Sequence, residues 1–587
     1  MSISSSANQR QTGIILLIAI VVMCQCSTHR DERVLDELVN HFFAEYIKFF
    51  PIQKCGIGLQ DCNDRFDDYA PQQIHALITT FRSFRPEIET IDRSNLSRKS
   101  QVNYDLLKRQ IDLILFEFDQ SQRWQRDAAF YTGKIHDAFA ELVTCPLCRD
   151  KKNSDRLLKR FQAVPGFVDQ AKQNLFATDL TMCQTAIEDI ETIKRIIYFY
   201  LPQELSTAIS DVDSLNASID AVSNSLENFK TFLKQKIAAK TGETPLFSID
   251  QYQTYLQLSL HSEIDIQNLL DLISSEYQTH YTTMLNVATQ FAEQVDNFKP
   301  ITNRNRIIGA VNEELEKQSV QKHEIIEFCA NTLQEVKRFV NEIWNVSLPI
   351  DFTVDFTWGR DEFIPKQAII YLQPPNLFQA TKRFHCLLPP IPDDRDWIYQ
   401  LVFLRKYHKK AIAIDVILNA MASHYIIFQN NSAKIPSLTK AFPDEALLNG
   451  WSYYLAYAMI DHGYGGYDPA FHYVLLRKYC RLLFTTQLEL QYQAGQISRK
   501  QAEELITSNG LFKKNEVDDL SKNIICFPSP GLKTFWGYYQ LKSIEQVYRK
   551  KTGAQFSFDF FLNHVLDMGP APLSVVNDHI IHLLENR

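Results

Sequence analysis

Glycine is scarce in this chain, with 18 residues among 587, less than half the usual share of roughly 7%. Together with scattered proline and long mixed apolar and charged stretches, that scarcity favours helices over turn-rich β folds. Basic blocks and arms are missing too. The net charge is −8, with both signs interspersed, so nucleic-acid binding has little support. A second C-x-x-C is absent. Cys145 and Cys148 form a lone CPLC, whereas a structural zinc site needs four ligands. A redox role would want a thioredoxin-like βαβ setting, which the sequence does not offer. Packing thiols or a local disulfide are the better reading for these two, and Cys55 and Cys62 are close enough to be disulfide candidates. Ser423 lies in MASHY, without the G-x-S-x-G of a nucleophile elbow. No glycine-rich phosphate loop, internal repeat or low-complexity tract occurs.

What is present begins at the N-terminus. Arg10 precedes the apolar run Ile14 to Met23, followed at once by Cys24 and Cys26. Ten residues are too few to span a bilayer, which needs about 20, but they suit the core of an export signal. Residues 1–26 are therefore expected to direct export to the cell envelope or periplasm. Three versions stay open: a cleaved signal, a short uncleaved anchor, or a lipoprotein-type signal with Cys24 or Cys26 acylated. The residue before an acylated Cys is normally small, and here it is Met23 or Gln25.

Apolar positions Leu35, Leu38, Phe42, Tyr46 and Phe49 recur at three and four residues, one face of a helix that Pro51 ends. The same period returns over Gln73–Phe84, Ser100–Gln120, Arg156–Phe176, Leu180–Tyr200, Ser214–Lys240, Gln253–Phe298 and His323–Trp344. The period then changes to two. Ile350, Phe352, Val354, Phe356 and Trp358 alternate with polar residues, predicting a strand with one buried face. Ala368–Leu372 is its expected partner, ended by Pro374-Pro375. The expectation is a mainly α fold with a small antiparallel β-sheet in the C-terminal half. It divides into an N-terminal helical region over 30–300 and a second region over 301–587, with the sheet at about 348–373. Thr241–Pro245 is the best candidate break inside the helical array.

Several segments, read together, resemble the domain-of-unknown-function family 885. They are FPIQKCGIGLQDCNDRFDDYAPQQ and RFQAVPGFVDQAKQNL near the N-terminus, then LRKYHKKAIAIDVILNAMASHYIIFQ, ALLNGWSYYLAYAM, and PSPGLKTFWGYYQLKSIEQVYRKKTG followed by LDMGPAPL. The resemblance implies a helical gluzincin-like (helical carboxypeptidase-like) architecture and a zinc-peptidase-like site. In that family the first C-terminal block carries HExxPGH, two His ligands and a Glu that takes a proton from metal-bound water. Here the block reads LNAMASH. Leu418 stands at the first ligand, Asn419 at the base, Ala422-Ser423 at the Pro-Gly, and only His424 remains. Ligands six residues apart lie about 120° off register on a helix. A Pro-Gly break can reunite them, so with Ala-Ser the helix is expected to run straight through. In the block that resembles EGWALY, Asn449 replaces the expected third ligand. Thr485 and Glu489 follow Arg481 where the family often has Asp and His. Trp536 stands where the resemblance places a Tyr, a donor suited to an oxyanion, and Leu562 where it places a His.

The resemblance thus implies a degenerate member: no catalytic residue, no metal, and a zinc site lost from Leu418, Asn419, His424, Asn449, Trp536 and Leu562. The first functional expectation is a non-catalytic, peptidase-like envelope protein with a binding or scaffolding role. Its ligand would be a peptide or protein, held by strand addition at the Ile350–Trp358 edge. Trp451, Tyr453 and Tyr454 could line a peptide cleft, although an aromatic helical stripe is more often core. The alternatives are a hydrolase with a rebuilt site and a structural partner of an active relative. A constellation of Asp415, His424 and Glu445 is geometrically poor, since Asp415 and His424 lie about 180° apart on a straight helix. Membrane contact is expected only through the N-terminal signal or lipid anchor.

Overall fold

The computed structural model describes residues 30–54, 65–144, 154–176, 178–205, 209, 211–238, 245–295, 304–344, 353–365, 368–373, 383–391, 396–421, 437–526 and 530–585. The fold is mainly α with one small sheet. Amphipathic helices at 30–49, Pro71–Glu89, Arg98–Leu115, Ala128–Thr144, Ser154–Asn174, Leu180–Arg195 and Val212–Ala238 form the N-terminal array. Two of them widen into π-helical turns, Phe116–Gln120 and Ile196–Tyr200, the second continuing as the short α-helix Leu201–Leu205. Gln253–Phe298, one stretch by periodicity, is two helices, Ile249–Leu260 and Ile266–Gln294. His261 ends the first in the left-handed region, at φ 49°, and the Asp265 side chain caps the second by accepting from the Asn268 N–H.

The buried apolar residues form two clusters. One runs from Leu35 to Leu233, and the other takes over at Leu246 and holds nearly all the rest. The change-over falls between Leu233 and Leu246. The physical reason is helix pairing: Ile266–Gln294 lies along Pro469–Gln493 and belongs to the C-terminal core.

The sheet has three strands, β1 (Thr353–Trp358), β2 (Tyr371–Leu372) and β3 (Arg383–Leu388), in the order β1-β3-β2. It is mixed, not antiparallel. β1 runs parallel to β3 in the register Thr353↔Arg383 to Trp358↔Leu388, and β2 runs antiparallel to β3. The expected β1–β2 pairing is therefore replaced by a third strand inserted between them. Its period of two is plain once seen: Phe384, Cys386 and Leu388 are buried, while Arg383 and His385 face out. Arg383 pairs with Asp355 across the parallel register.

The elements that build the site are α1 (Ile266–Gln294), α2 (Lys409–Asp415), α3 (Glu445–Asp461), α4 (Pro469–Gln493) and α5 (Pro530–Thr552). α2 does not run on as a regular helix. It passes into a π-helical segment, Val416–Met421, and residues 422–436 lie outside the described residues. α3 and α5 cross at glycine. A Cβ on Gly450 would fall 2.3 Å from the Gly537 carbonyl carbon, and one on Gly537 would fall 1.7 Å from the Ala446 carbonyl oxygen. The two backbones touch there, which only glycine permits.

Candidate functional site

α3, α4, the first turns of α5, the π segment and β2 enclose a cavity of about 510 Å³. Helix geometry decides what faces it. On α3, Asn449, Ser452 and Tyr453 lie at spacings of three and four and all line the cavity. Trp451 and Tyr454 lie off that face. They stack on each other with centroids 5.9 Å apart and are buried in the core, Tyr454 against Phe558 and Phe561. Of the three aromatics expected in a cleft, Tyr453 is thus the one at the cavity wall. On α4 the residues Lys478, Arg481, Leu482 and Thr485 share one face and line the opposite side.

The structure brings Leu418, Asn419 and Asn449 together at this cavity. Trp536 is not among its lining residues. Gly531 and Thr534 carry the cavity face of α5, and Trp536 is about 200° round the helix from Thr534. Its indole stacks on Tyr539 instead. Leu562 is buried in the C-terminal core on helix Phe558–Asp567. Glu489 is buried away from the cavity and accepts from the Tyr252 hydroxyl at 3.0 Å. Glu445 is exposed on the first turn of α3, where Lys533 pairs with it at 2.7 Å. His424, Cys24, Cys26 and the pairs Cys55/Cys62 and Cys145/Cys148 lie outside the described residues.

Lys478 is the residue that sequence reasoning missed. Its ammonium reaches across the cavity from α4 to Asp415 at the end of α2, 3.0 Å from Oδ2 and 3.1 Å from Oδ1. The Asp415 side chain is 6% exposed. Burial pushes its carboxyl up, and the opposing pull of Lys478 does not cancel that rise. The Asn419 amide donates back to the Asp415 carbonyl oxygen at 3.2 Å and to Oδ1 at 3.4 Å. Arg481 is also occupied. It pairs with Glu516 at 2.6 Å, donates to the Leu511 carbonyl oxygen at 2.7 Å and lies over the Phe512 ring. Burial tends to raise the Glu516 carboxyl, but the bonds and charge of Arg481 outweigh it and hold it below its ordinary value. Thr485 donates to the Arg481 carbonyl oxygen one turn back. The signal for this face was legible as a polar run at 478, 481 and 485 within a helix otherwise buried on several sides.

These donors do not suit a zinc ion. Leu418 has no lone pair, Asn419 and Asn449 offer only weakly basic amide oxygens, and the nearest carboxylate already holds an ammonium. Among the described residues no three His, Cys, Asp or Glu side chains come together as a metal site. No helix among them is long and apolar enough to cross a membrane.

The structure shows a mainly helical frame around a polar, charge-paired cavity, and comparisons with known proteins fix the family. The chain belongs to the family described as "Bacterial protein of unknown function (DUF885)", whose model matches residues 51–580. It is similar in fold to a candidate lipoprotein of unknown function from Shewanella oneidensis (TM-score 0.79, 15% identity, 93% of this chain and 99% of that one). A second structure, a candidate lipoprotein from Colwellia psychrerythraea, matches with TM-score 0.74 and 13% identity over 96% of this chain and 100% of that one. No curated protein matches the chain.

Proposed function

We propose that this chain is a non-catalytic binding protein of the cell envelope, built on a peptidase-like frame. The observation that carries the reading is the Lys478–Asp415 ion pair inside the cavity that Leu418, Asn419 and Asn449 line. A fixed ammonium repels a divalent cation, and neither amide can take a proton near neutral pH. The envelope location draws on the N-terminal apolar run and on the two structural neighbours described as candidate lipoproteins.

The cavity's chemistry suggests its ligand. Its charges are neutralised in pairs, and its remaining polar groups are the Asn419 and Asn449 amides and the Tyr371, Ser452, Tyr453, Thr485 and Thr534 hydroxyls. Uncharged donors and acceptors of this kind complement a peptide main chain. β2, whose Tyr371 and Leu372 line the cavity, is the strand placed to guide such a ligand. β1 lies at the other edge of the sheet, beyond β3, so strand addition at β1 would hold a peptide away from the cavity.

The test is metal content together with turnover and binding. The purified chain, offered zinc and then desalted, is expected to retain less than about one-tenth of an ion per chain, since stable sites use three or four ligands. It should cleave neither peptides nor esters, and should bind members of an unstructured-peptide library in a manner lost in Asn449→Leu. Near-stoichiometric zinc with turnover would replace this reading by a hydrolase with a rebuilt site. Absence of binding across the library would remove the peptide ligand.

A further inference from the structure

Helix Trp397–Leu404 has the sequence WIYQLVFL, in which every residue but Gln400 is apolar or aromatic, yet only Phe403 and Leu404 pack against the core and none is fully buried. Trp397 is 72% exposed and Ile398 55%, with Tyr399, Leu401 and Val402 close behind. Scattered exposed apolar residues are ordinary, but a contiguous set on one helix marks an interaction surface. The helix is nonetheless well held. The Asp396 side chain caps it by accepting from the Tyr399 N–H at 2.8 Å, and the buried Tyr407 just beyond it packs on Trp358 and Phe403.

Charge decides between occupants. The C-terminal end carries Lys409, exposed, Arg405, exposed and 3.9 Å from the Glu316 carboxylate, and Lys406, whose ammonium lies 3.9 Å over the Phe403 ring. The face of an eight-residue helix amounts to a few hundred Å², below the roughly 800 Å² per partner of a stable protein interface. A bilayer makes no such demand, because each side chain that enters contributes on its own. Trp and Tyr favour the headgroup level, and cations beside them favour anionic lipid. About 12 Å of helix cannot cross a bilayer, but it can lie in the interface.

We propose that helix Trp397–Leu404 is a membrane-docking element that seats in the headgroup region of an anionic phospholipid bilayer. It acts in addition to the N-terminal segment and does not depend on whether the cavity is catalytic. With a lipid or signal anchor at one end of the chain, a second contact would fix which face of the molecule meets the bilayer, since single weak anchors bind only marginally.

The test uses the full chain carrying Cys24→Ser and Cys26→Ser, so that no acyl chain contributes, and vesicles of phosphatidylethanolamine and phosphatidylglycerol with brominated acyl chains. Of the six tryptophans, Trp397 alone is exposed, so bromine quenching reads this helix and not the N-terminus. Quenching is expected, is lost in Trp397→Phe, and weakens with salt or with phosphatidylcholine alone. Ile398→Glu with Leu401→Glu should lower vesicle partition at least about tenfold. Unquenched Trp397 at saturating lipid overturns the proposal. So does equal partition of the double variant. Self-association that the same variant abolishes, without quenching, assigns the face to a second copy of the chain and likewise overturns it.

Discussion

Replacing Lys478 with Met tests the cavity's electrostatics directly. The Asp415 side chain is 6% exposed and that of Lys478 25%, so the variant leaves a carboxyl largely out of water without its counter-ion. Removing one member of a buried pair typically costs about 3–5 kcal/mol. Lys478 is a quarter exposed, and solvent screening brings the expectation to about 2–3 kcal/mol. The double variant Lys478→Met with Asp415→Asn removes the charge as well as its partner and keeps an oxygen for the Asn419 amide. It should lie within about 1 kcal/mol of the wild type. The loss in the single variant must depend on pH. A carboxyl raised in the folded state contributes a stability that is full at low pH and is lost as pH rises from the ordinary carboxylate range through the raised folded value. Asp415 is raised by burial and held back by Lys478, so deleting Lys478 extends that window upward. The penalty should be large near pH 8 and small near pH 4. Denaturant unfolding with the measured slope gives each difference. Equal losses in the single and double variants, or a loss independent of pH, would refute the reasoning.

Four further outcomes are expected. Gly537→Ala should lower the melting temperature, because its Cβ would sit 1.7 Å from the Ala446 carbonyl oxygen. Overpacking of about 1–3 kcal/mol exceeds the helix gain of up to about 1. Gly309→Ala, in the helix Arg304–Glu316 with nothing within 4 Å of its Cβ, should raise it. Tyr252→Phe should cost about 1–3 kcal/mol by removing the hydroxyl that reaches the buried Glu489 at 3.0 Å, read by denaturant midpoint. Burial pushes the Asp189 carboxyl up to about 6 against the Thr132 hydrogen bond and the nearby His136. Its contribution is therefore lost as pH rises from the ordinary carboxylate range to about 6, and Asp189→Asn should flatten that limb of the melting-temperature profile.

Helical periodicity was legible almost wherever one face is buried and the other wet, as at Ile325–Trp344 and Leu180–Arg195. It failed where a helix is apolar on most sides: the period of Ala128–Thr144 carries little polar contrast, so nothing marked it. β3 alternates as clearly as β1, but parallel pairing needs a long crossover, and local sequence cannot announce which of two strands lies in the middle. The positions Leu418, Asn419 and Asn449 could be read from motif order, and they do share one cavity. The pairing of Lys478 with Asp415 could not, because the two are 63 residues apart in sequence and only the polar run at 478, 481 and 485 marks that face.

That pair also balances the cavity's charge from within the chain. A buried carboxylate at the end of α2 needs a counter-cation, and α4 supplies one from within the chain. The frame itself depends on something else. α3 and α5 are held in register by backbone contact at Gly450 and Gly537 and by the Lys533–Glu445 pair, and none of these groups carries cavity chemistry. Support and site are thus physically separable here. Substitutions at Leu418, Asn419 or Asn449 alter the lining while the helix crossing that shapes the cavity stays intact, whereas one added methyl at Gly537 would move both helices. On this reasoning a family member can exchange its cavity chemistry and keep its fold, and the shape alone does not tell which chemistry it holds.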